Sequence, residues 1–246
     1  MIKMKFDDLL VGFVVSIVIF FNTISTTMLN KGFLHVGASS LIVVVALLLL
    51  RFFNKITIPY HYLILSAMLL LVAVMVYFQT DKLNFLVYSL LMVLLVNADR
   101  KVILKTYVGV AGTIVLAVFL LSLLKVVPNL QYSRGAVIRN SFGFIYPTDF
   151  AAHCFYLYVA ISYLLKDRYI GLRSLSGVLL ALFIIKFCDA RMNAISLLVA
   201  VLLFLLFYFT KEKKLKLYHL LPYSVILFST GMIYLTYQFS WSSPLY

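Results

Sequence analysis

The sequence is dominated by a succession of apolar runs, each about 15 to 21 residues long and bounded by charged or turn-forming residues. A helix rises about 1.5 Å per residue, so such a run approaches the length that crosses the hydrocarbon core of a bilayer. A helix also satisfies its own backbone hydrogen bonds within lipid. The runs therefore predict transmembrane helices near residues 9–29, 36–53, 60–80, 83–97, 106–124, 149–165, 174–188, 193–210 and 220–237.

The composition excludes a soluble fold. Hydrophobic residues make up 64% of the chain and charged residues 12%, whereas charged residues are about 25% of an average soluble domain. We expect an all-α, polytopic transmembrane bundle of about nine spans, in which residues 1–246 form a single transmembrane domain. Helices gain little hydrophobic energy by associating within lipid, so small residues and polar contacts are expected at their interfaces.

The net charge of +13 predicts an orientation in the membrane. The basic residues are scattered between apolar runs and form no basic face, so no nucleic-acid partner is expected. With a cytoplasmic N-terminus, 14 of the 21 lysines and arginines fall on the inner side and 7 on the outer side. Basic residues concentrate in cytoplasmic loops, which predicts a cytoplasmic N-terminus and, after nine spans, an external C-terminus.

Four of the outer basic residues lie in two connections that flank the sixth and seventh spans. The first connection is the long external loop at about 125–148, and the second is the external junction at about 186–193. Long loops often carry binding or catalytic residues. The four residues are Arg134, Arg139, Lys186 and Arg191, and they point to a functional site at the outer end of the bundle.

The end of the external loop leads directly into a helix. Gly143 and Pro147 favour a turn before the helix, and Thr148 or Asp149 is expected to cap the helix. A carboxylate in the first turn also suits the helix dipole. His153 follows Asp149 by four residues and should share its face. An interhelical hydrogen bond is the alternative to a catalytic role for this histidine.

The basic residues of both connections suit an anionic ligand. Arginine donates two parallel hydrogen bonds to phosphate, so Arg134 and Arg139 are candidate phosphate ligands. Anchoring of the loop at lipid headgroups is the alternative. In the second connection, Lys186 and Asp189 could pair at i, i+3, which would leave Arg191 for a ligand.

These residues resemble bacterial surface-polysaccharide polymerases of the Wzy type. Many members carry an arginine before a Gly-Phe-x-(His or Tyr)-Pro-(Asn or Thr) run that enters a helix, and an Asp/Ser-Arg pair at a later helix junction. The first motif is matched by Arg139, Gly143, Phe144, Tyr146, Pro147 and Thr148, and the second by Asp189 and Arg191. Ala190 stands where many members have serine.

The resemblance implies a reaction and a location. The reaction is a metal-independent, cofactor-free, inverting glycosyl transfer that joins polyprenyl-diphosphate-linked oligosaccharide repeats into surface polysaccharide at the outer face of the bacterial plasma membrane. A flippase and a chain-length regulator of the same pathway are the implied partners, besides the bilayer. The implied substrate ligands are Arg134, Arg139, Arg191, Asp189, Lys186 and Tyr146. Asp149 is the first candidate for the base and His153 the second.

Three other interpretations stay open on the sequence. A transporter of lipid-linked oligosaccharide would also use cationic groups, although no internal repeat of the kind common in transporters is visible. An O-antigen ligase shares the lipid-linked donor and differs mainly in its acceptor. Because family members are usually longer, the chain is also interpretable as a truncated, inactive polymerase within an assembly complex.

Overall fold

The structure is a computed structural model that describes residues 6–29, 44–45, 60–81, 83–95, 98–135, 137–166, 168–210 and 230. The chain divides into two compact units, Met1–Val201 and Leu202–Tyr246. In the second unit the described residues are 202–210, which continue a helix, and 230. The sites below lie in the first unit.

The described chain is mostly helical. Its elements in chain order are α1 (Phe6–Ser25), α2 (Tyr60–Thr80), α3 (Asn84–Leu94), α4 (Arg100–Leu123), β1 (Gln131–Arg134), β2 (Val137–Asn140), α5 (Pro147–Leu165), α6 (Ile170–Phe183) with a π-helical turn at Ile184–Cys188, and α7 (Arg191–Thr210). Each helix overlaps one of the predicted spans. The spans predicted near 36–53 and 220–237 lie outside the described residues, apart from 44, 45 and 230.

Three helices in the described ranges are long and apolar enough to cross a membrane. They are Arg100–Leu123, Ile170–Cys188 and Arg191–Thr210, and shorter apolar helices cover Val11–Ser25 and Ile64–Thr80. These helices indicate membrane association. The count of nine spans and the orientation stay predictions.

Two glycines lie where helices pack closely, as expected within lipid. A Cβ on Gly12 of α1 would lie 3.6 Å from the hydroxyl of Thr106 in α4. A Cβ on Gly177 of α6 would lie only 2.6 Å from the Tyr158 hydroxyl of α5 and 2.5 Å from Val201 in α7. A larger residue at Gly177 would therefore displace both neighbours.

The loop at about 125–148 contains a β-hairpin that the all-α expectation does not include. Strands β1 and β2 pair antiparallel, with Tyr132 opposite Arg139 and Arg134 opposite Val137. Gly135 follows β1 with a φ of +60°, a conformation that glycine adopts readily. The hairpin satisfies backbone groups of the loop and gives its arginines fixed positions.

The segment after the hairpin fastens the end of α1 to the start of α5. The amide of Met28 donates to the carbonyl of Gly143 at 2.9 Å, and the amide of Ile145 donates to the carbonyl of Thr26 at 2.9 Å. Phe144 lies between them and is completely buried. The C-terminal end of α1 is thus joined to the loop that carries the predicted site.

The start of α5 differs from the predicted cap. Tyr146 occupies the N-cap position and makes no side-chain capping hydrogen bond, so the prediction that Thr148 or Asp149 caps the helix is wrong. Pro147 is the first helical residue, where its missing N–H leaves one fewer unsatisfied donor. Asp149 lies in the first turn as predicted.

Candidate functional site

Three arginines from two connections line one pocket at the end of the bundle. The pocket has a volume of about 290 Å³, and we call it the arginine pocket. Its lining residues are Arg134, Arg139, Thr148, Asp189, Ala190, Arg191, Met192 and Asn193. The structure therefore brings together residues of the loop at about 125–148 and of the junction at about 186–193.

Hydrogen bonds hold the hairpin against the end of α6. The Nε of Arg139 donates to the carbonyl oxygen of Cys188 at 2.9 Å, and the side-chain amide of Asn140 donates to the carbonyl oxygen of Phe187 at 3.4 Å. Carbonyl groups at the end of a helix lack partners within that helix. The hairpin supplies these partners, so Arg139 is fixed at the rim of the pocket through its Nε.

Asp189 is the counter-ion of the arginine pocket. It accepts a hydrogen bond from the Nε of Arg191 at 2.9 Å, and its side chain is 7% exposed whereas that of Arg191 is 66% exposed. This hydrogen bond, with the positive charges of Arg191, Arg134 and Arg139, lowers the pKa of Asp189 from its ordinary value of 3.8. The carboxylate is therefore charged at neutral pH.

The predicted pairing of Lys186 with Asp189 is wrong. Arg191 takes the carboxylate, and the ammonium of Lys186 lies 5.5 Å from the ring centroid of Phe187. The i, i+3 rule applies to α-helices, but Lys186 lies in a π-helical turn and Asp189 has a φ of +44°. Lys186 does not line the arginine pocket.

Each paired arginine uses one nitrogen within the protein. The Nε atoms of Arg139 and Arg191 make the contacts to Cys188 and Asp189. The Nη groups of both arginines have no hydrogen-bond partner among the described residues. Three guanidinium groups thus surround one carboxylate. This excess of positive charge, with free donors on planar groups, suits an anion with several oxygens.

Two helix starts also meet at the arginine pocket. Asn193, in the first turn of α7, donates through its side-chain amide to the carbonyl oxygen of Thr148 at the start of α5, at 3.2 Å. The N-terminal end of a helix carries a partial positive charge. The two helix ends therefore add to the field of the arginines.

Asp149 and His153 line a different cavity. This second cavity, of about 570 Å³, lies between α1, α4 and α5. The Nε2 of His153 is 3.0 Å from the hydroxyl of Thr26, and its ring centroid is 5.5 Å from that of Phe144. The contact with Thr26 is a hydrogen bond between segments, the alternative to catalysis for this histidine. The structure does not place the two candidate bases inside the arginine pocket.

Tyr146 lies beside the hairpin. Its side chain is exposed, and its ring centroid is 5.7 Å from that of Tyr132. The hydroxyl of Tyr132 in turn donates to the carbonyl oxygen of Ile145 at 2.7 Å. Tyr146 lines neither the arginine pocket nor the second cavity.

Two polar residues in the bundle have roles that sequence reasoning missed. Thr26 contacts His153, and the run of hydroxyl residues at the end of α1 is the signal that could have indicated it. Arg173 is buried and donates to the carbonyl oxygens of Ser162 and Lys166 at the end of α5. The sequence analysis counts Arg173 only as one of the 14 basic residues on the predicted inner side, whereas the structure gives it a capping role.

Within the part of the chain that the structure describes, no three His, Cys, Asp or Glu residues come together in a way that could hold a metal ion. Comparisons of the chain with protein-family models, curated proteins and solved structures find no match. The arrangement of the residues is therefore the basis for the function proposed below.

Replacing Asp189 with asparagine is expected to raise the affinity for inorganic pyrophosphate about fivefold at low salt. The amide oxygen can still accept from Arg191, but the negative charge that competes with an anion is gone. Isothermal titration calorimetry in nanodiscs measures the affinity. Asp81→Asn is the control, because Asp81 also has a positive φ and does not line the pocket. An unchanged or lower affinity for Asp189→Asn would contradict the prediction.

Proposed function

We propose that this protein polymerises lipid-linked oligosaccharide repeats into cell-surface polysaccharide, by inverting glycosyl transfer at the outer face of the bacterial plasma membrane. The observation that carries the proposal is the convergence of Arg134, Arg139 and Arg191 on one pocket. Four of the residues that carry the family resemblance line the same pocket, namely Arg139, Thr148, Asp189 and Arg191. The proposed external position rests on the charge distribution, which predicts a cytoplasmic N-terminus for a bundle of about nine spans.

The arginine pocket suits the diphosphate of a polyprenyl-diphosphate-linked donor. Guanidinium groups bind phosphate oxygens through parallel, charge-assisted hydrogen bonds. The Nη groups of Arg139 and Arg191 are available for this role, and Arg134 adds a third charge from the hairpin. A diphosphate gains negative charge as it leaves the sugar, so the same groups stabilise the transition state.

The transfer forms one glycosidic bond and breaks one bond to the diphosphate. An acceptor hydroxyl attacks the anomeric carbon of the donor sugar from the face opposite the diphosphate, forming a new C–O bond with inverted configuration. The bond from the anomeric carbon to the diphosphate oxygen breaks, and the diphosphate leaves with the electron pair. The proton of the acceptor hydroxyl passes to a base.

Asp149 is the first candidate for that base. Thr148 lines the arginine pocket and the adjacent Asp149 lines the second cavity, so the carboxylate lies next to the boundary between them. His153, one turn further along α5, is the second candidate.

Deletion of the gene in its host tests the proposed function. We expect surface glycan to be limited to single repeats and lipid-linked repeats to accumulate at the outer face. Complementation with the wild-type chain should restore long polymer, as resolved by gel electrophoresis of the glycan. Accumulation at the inner face would instead indicate a transporter, and polymer of normal length would overturn the proposal. A flippase and a chain-length regulator are the partners to seek by cross-linking.

Arg134→Ala is expected to lower the affinity for pyrophosphate about tenfold. Arg134 contributes charge to the pocket but makes no side-chain hydrogen bond to another described residue, so the fold should tolerate its loss. Calorimetry in nanodiscs gives the affinity. Arg168→Ala is the matched control, since Arg168 is an exposed arginine in the turn between α5 and α6. Equal affinities for both variants would exclude Arg134 from the site.

A further inference from the structure

The second cavity is an elongated groove. It follows α5 from Asp149 to Tyr163, a distance of about 21 Å at the rise of an α-helix. Its volume of about 570 Å³ is spread over that length, so the space is narrow. We call it the α5 groove. Its shape suits an extended chain better than a compact ligand.

The α5 groove has its charged and most polar residues at one end and mainly aliphatic and aromatic residues along the rest. Thr26, Asp149 and His153 lie at the end next to the external loop. The part further along the helices is lined by Leu104, Val159 and the rings of Tyr107, Tyr156 and Tyr163. This gradient matches an amphiphile whose polar group lies at the membrane surface and whose apolar chain extends into the bilayer.

The polar end of the α5 groove adjoins the arginine pocket. The two spaces are separated by the first turn of α5, where Thr148 lines one and Asp149 the other. One molecule can therefore place an anionic group on the arginines and extend a chain past Asp149 into the groove. A membrane lipid with two acyl chains does not match a single narrow groove.

We infer that the α5 groove binds the isoprenoid tail of the lipid diphosphate whose head occupies the arginine pocket. This inference rests on the proposed function and adds the position of the tail. Lipid is as apolar as the groove, so transfer of the tail from bilayer to protein gains little hydrophobic energy. The groove therefore acts by orienting the diphosphate and the sugar attached to it.

Photo-cross-linking locates the tail. The probe is an isoprenyl diphosphate with a diazirine on its tail, added to the full chain in phospholipid nanodiscs. We expect cross-links on α5 between residues 152 and 163 and on α4 near Leu104, displaced by excess unlabelled isoprenyl diphosphate. Val159→Trp should reduce these cross-links about tenfold, because its ring fills the groove. Leu164→Trp, on the same helix but outside the groove, should leave them unchanged.

Pyrophosphate binding separates this inference from the proposed function. Wild type and Val159→Trp should bind pyrophosphate equally, since the arginine pocket is intact in both. If pyrophosphate binds but cross-links are spread evenly over lipid-facing positions such as Leu116, the tail site is wrong and the arginine pocket survives. If pyrophosphate does not bind to the wild type, the proposed function fails.

A smaller substitution covers the case in which Val159→Trp does not fold. Ala152→Leu narrows the groove near its polar end and should also reduce the cross-links. A photoreactive phosphatidylglycerol tests whether a membrane lipid occupies the α5 groove instead of the isoprenoid tail. Labelling of the groove by that lipid, without displacement by isoprenyl diphosphate, would overturn the inference.

Discussion

Arg139→Ala is expected to lower the affinity for isoprenyl diphosphate about 100-fold, equivalent to about 2.7 kcal/mol. Arg139 does two things at once. Its charge faces the arginine pocket, and its Nε holds the carbonyl oxygen of Cys188 at 2.9 Å. Truncation removes both the phosphate ligand and the hydrogen bond that fixes β2 against the end of α6. We therefore expect Arg139→Ala to lose more binding affinity than Arg134→Ala.

Arg139→Lys separates charge from geometry. Lysine keeps the positive charge but lacks the planar fork that can hold Cys188 and a phosphate oxygen together. We expect about tenfold weaker binding than wild type, intermediate between arginine and alanine. Full recovery by lysine would show that charge alone matters.

Competition between pyrophosphate and a fluorescent isoprenyl diphosphate in nanodiscs measures both variants, with Arg168→Ala as the control for loss of a surface arginine. In the deletion strain, Arg139→Ala should also fail to restore long polymer at normal membrane levels. Wild-type affinity and polymer length in Arg139→Ala would remove Arg139 from the site. Thermal unfolding of the purified variant separates weaker binding from a damaged fold.

The helices could be predicted because their signal is local. The length of an apolar run can be read directly from the sequence, and its backbone must form its own hydrogen bonds within lipid, so a helix is expected. The helices of the described chain overlap these runs. The gathering of Arg134, Arg139 and Arg191 also had a sequence basis. Successive spans alternate in direction, so connections separated by two spans emerge at the same end of the bundle.

The hairpin and the second cavity depend on contacts between distant segments. Strands of four residues carry little periodic signal. The spacing of Asp149 and His153 places both on one face of α5, but packing against α1 and α4 decides where that face points. The structure turns it toward Thr26. The partner of Asp189 could not be predicted from helical spacing, because the π-helical turn changes the angles that an α-helix would give.

Gly143→Ala is expected to reduce the free energy of unfolding by about 3 kcal/mol. Gly143 has a φ of +84°, and a Cβ there would lie 2.8 Å from a methyl of Val118 and 3.1 Å from its carbonyl oxygen. Val118 is completely buried and belongs to α4, so its backbone cannot move aside cheaply. The backbone strain of a positive φ and the steric overlap with Val118 therefore add at this position.

Gly135→Ala is the matched control, because it shares the positive φ without the overlap. Gly135 has a φ of +60°, and a Cβ there would have no heavy atom of another described residue within 4 Å. We therefore expect Gly135→Ala to reduce the free energy of unfolding by about 1 kcal/mol. Denaturant unfolding in detergent micelles compares the two variants. Equal reductions in the free energy of unfolding would show that backbone strain alone accounts for the effect at Gly143. They would also show that α4 moves aside to accommodate the new methyl group.

Gly143 also couples stability to the proposed site. Its carbonyl accepts from Met28, so a shift away from Val118 would move the loop between the hairpin and α5 relative to the end of α1. The arginine pocket and the α5 groove are both built on that loop and helix. We therefore expect Gly143→Ala to weaken pyrophosphate binding as well as folding, whereas Gly135→Ala should leave binding within about twofold of wild type.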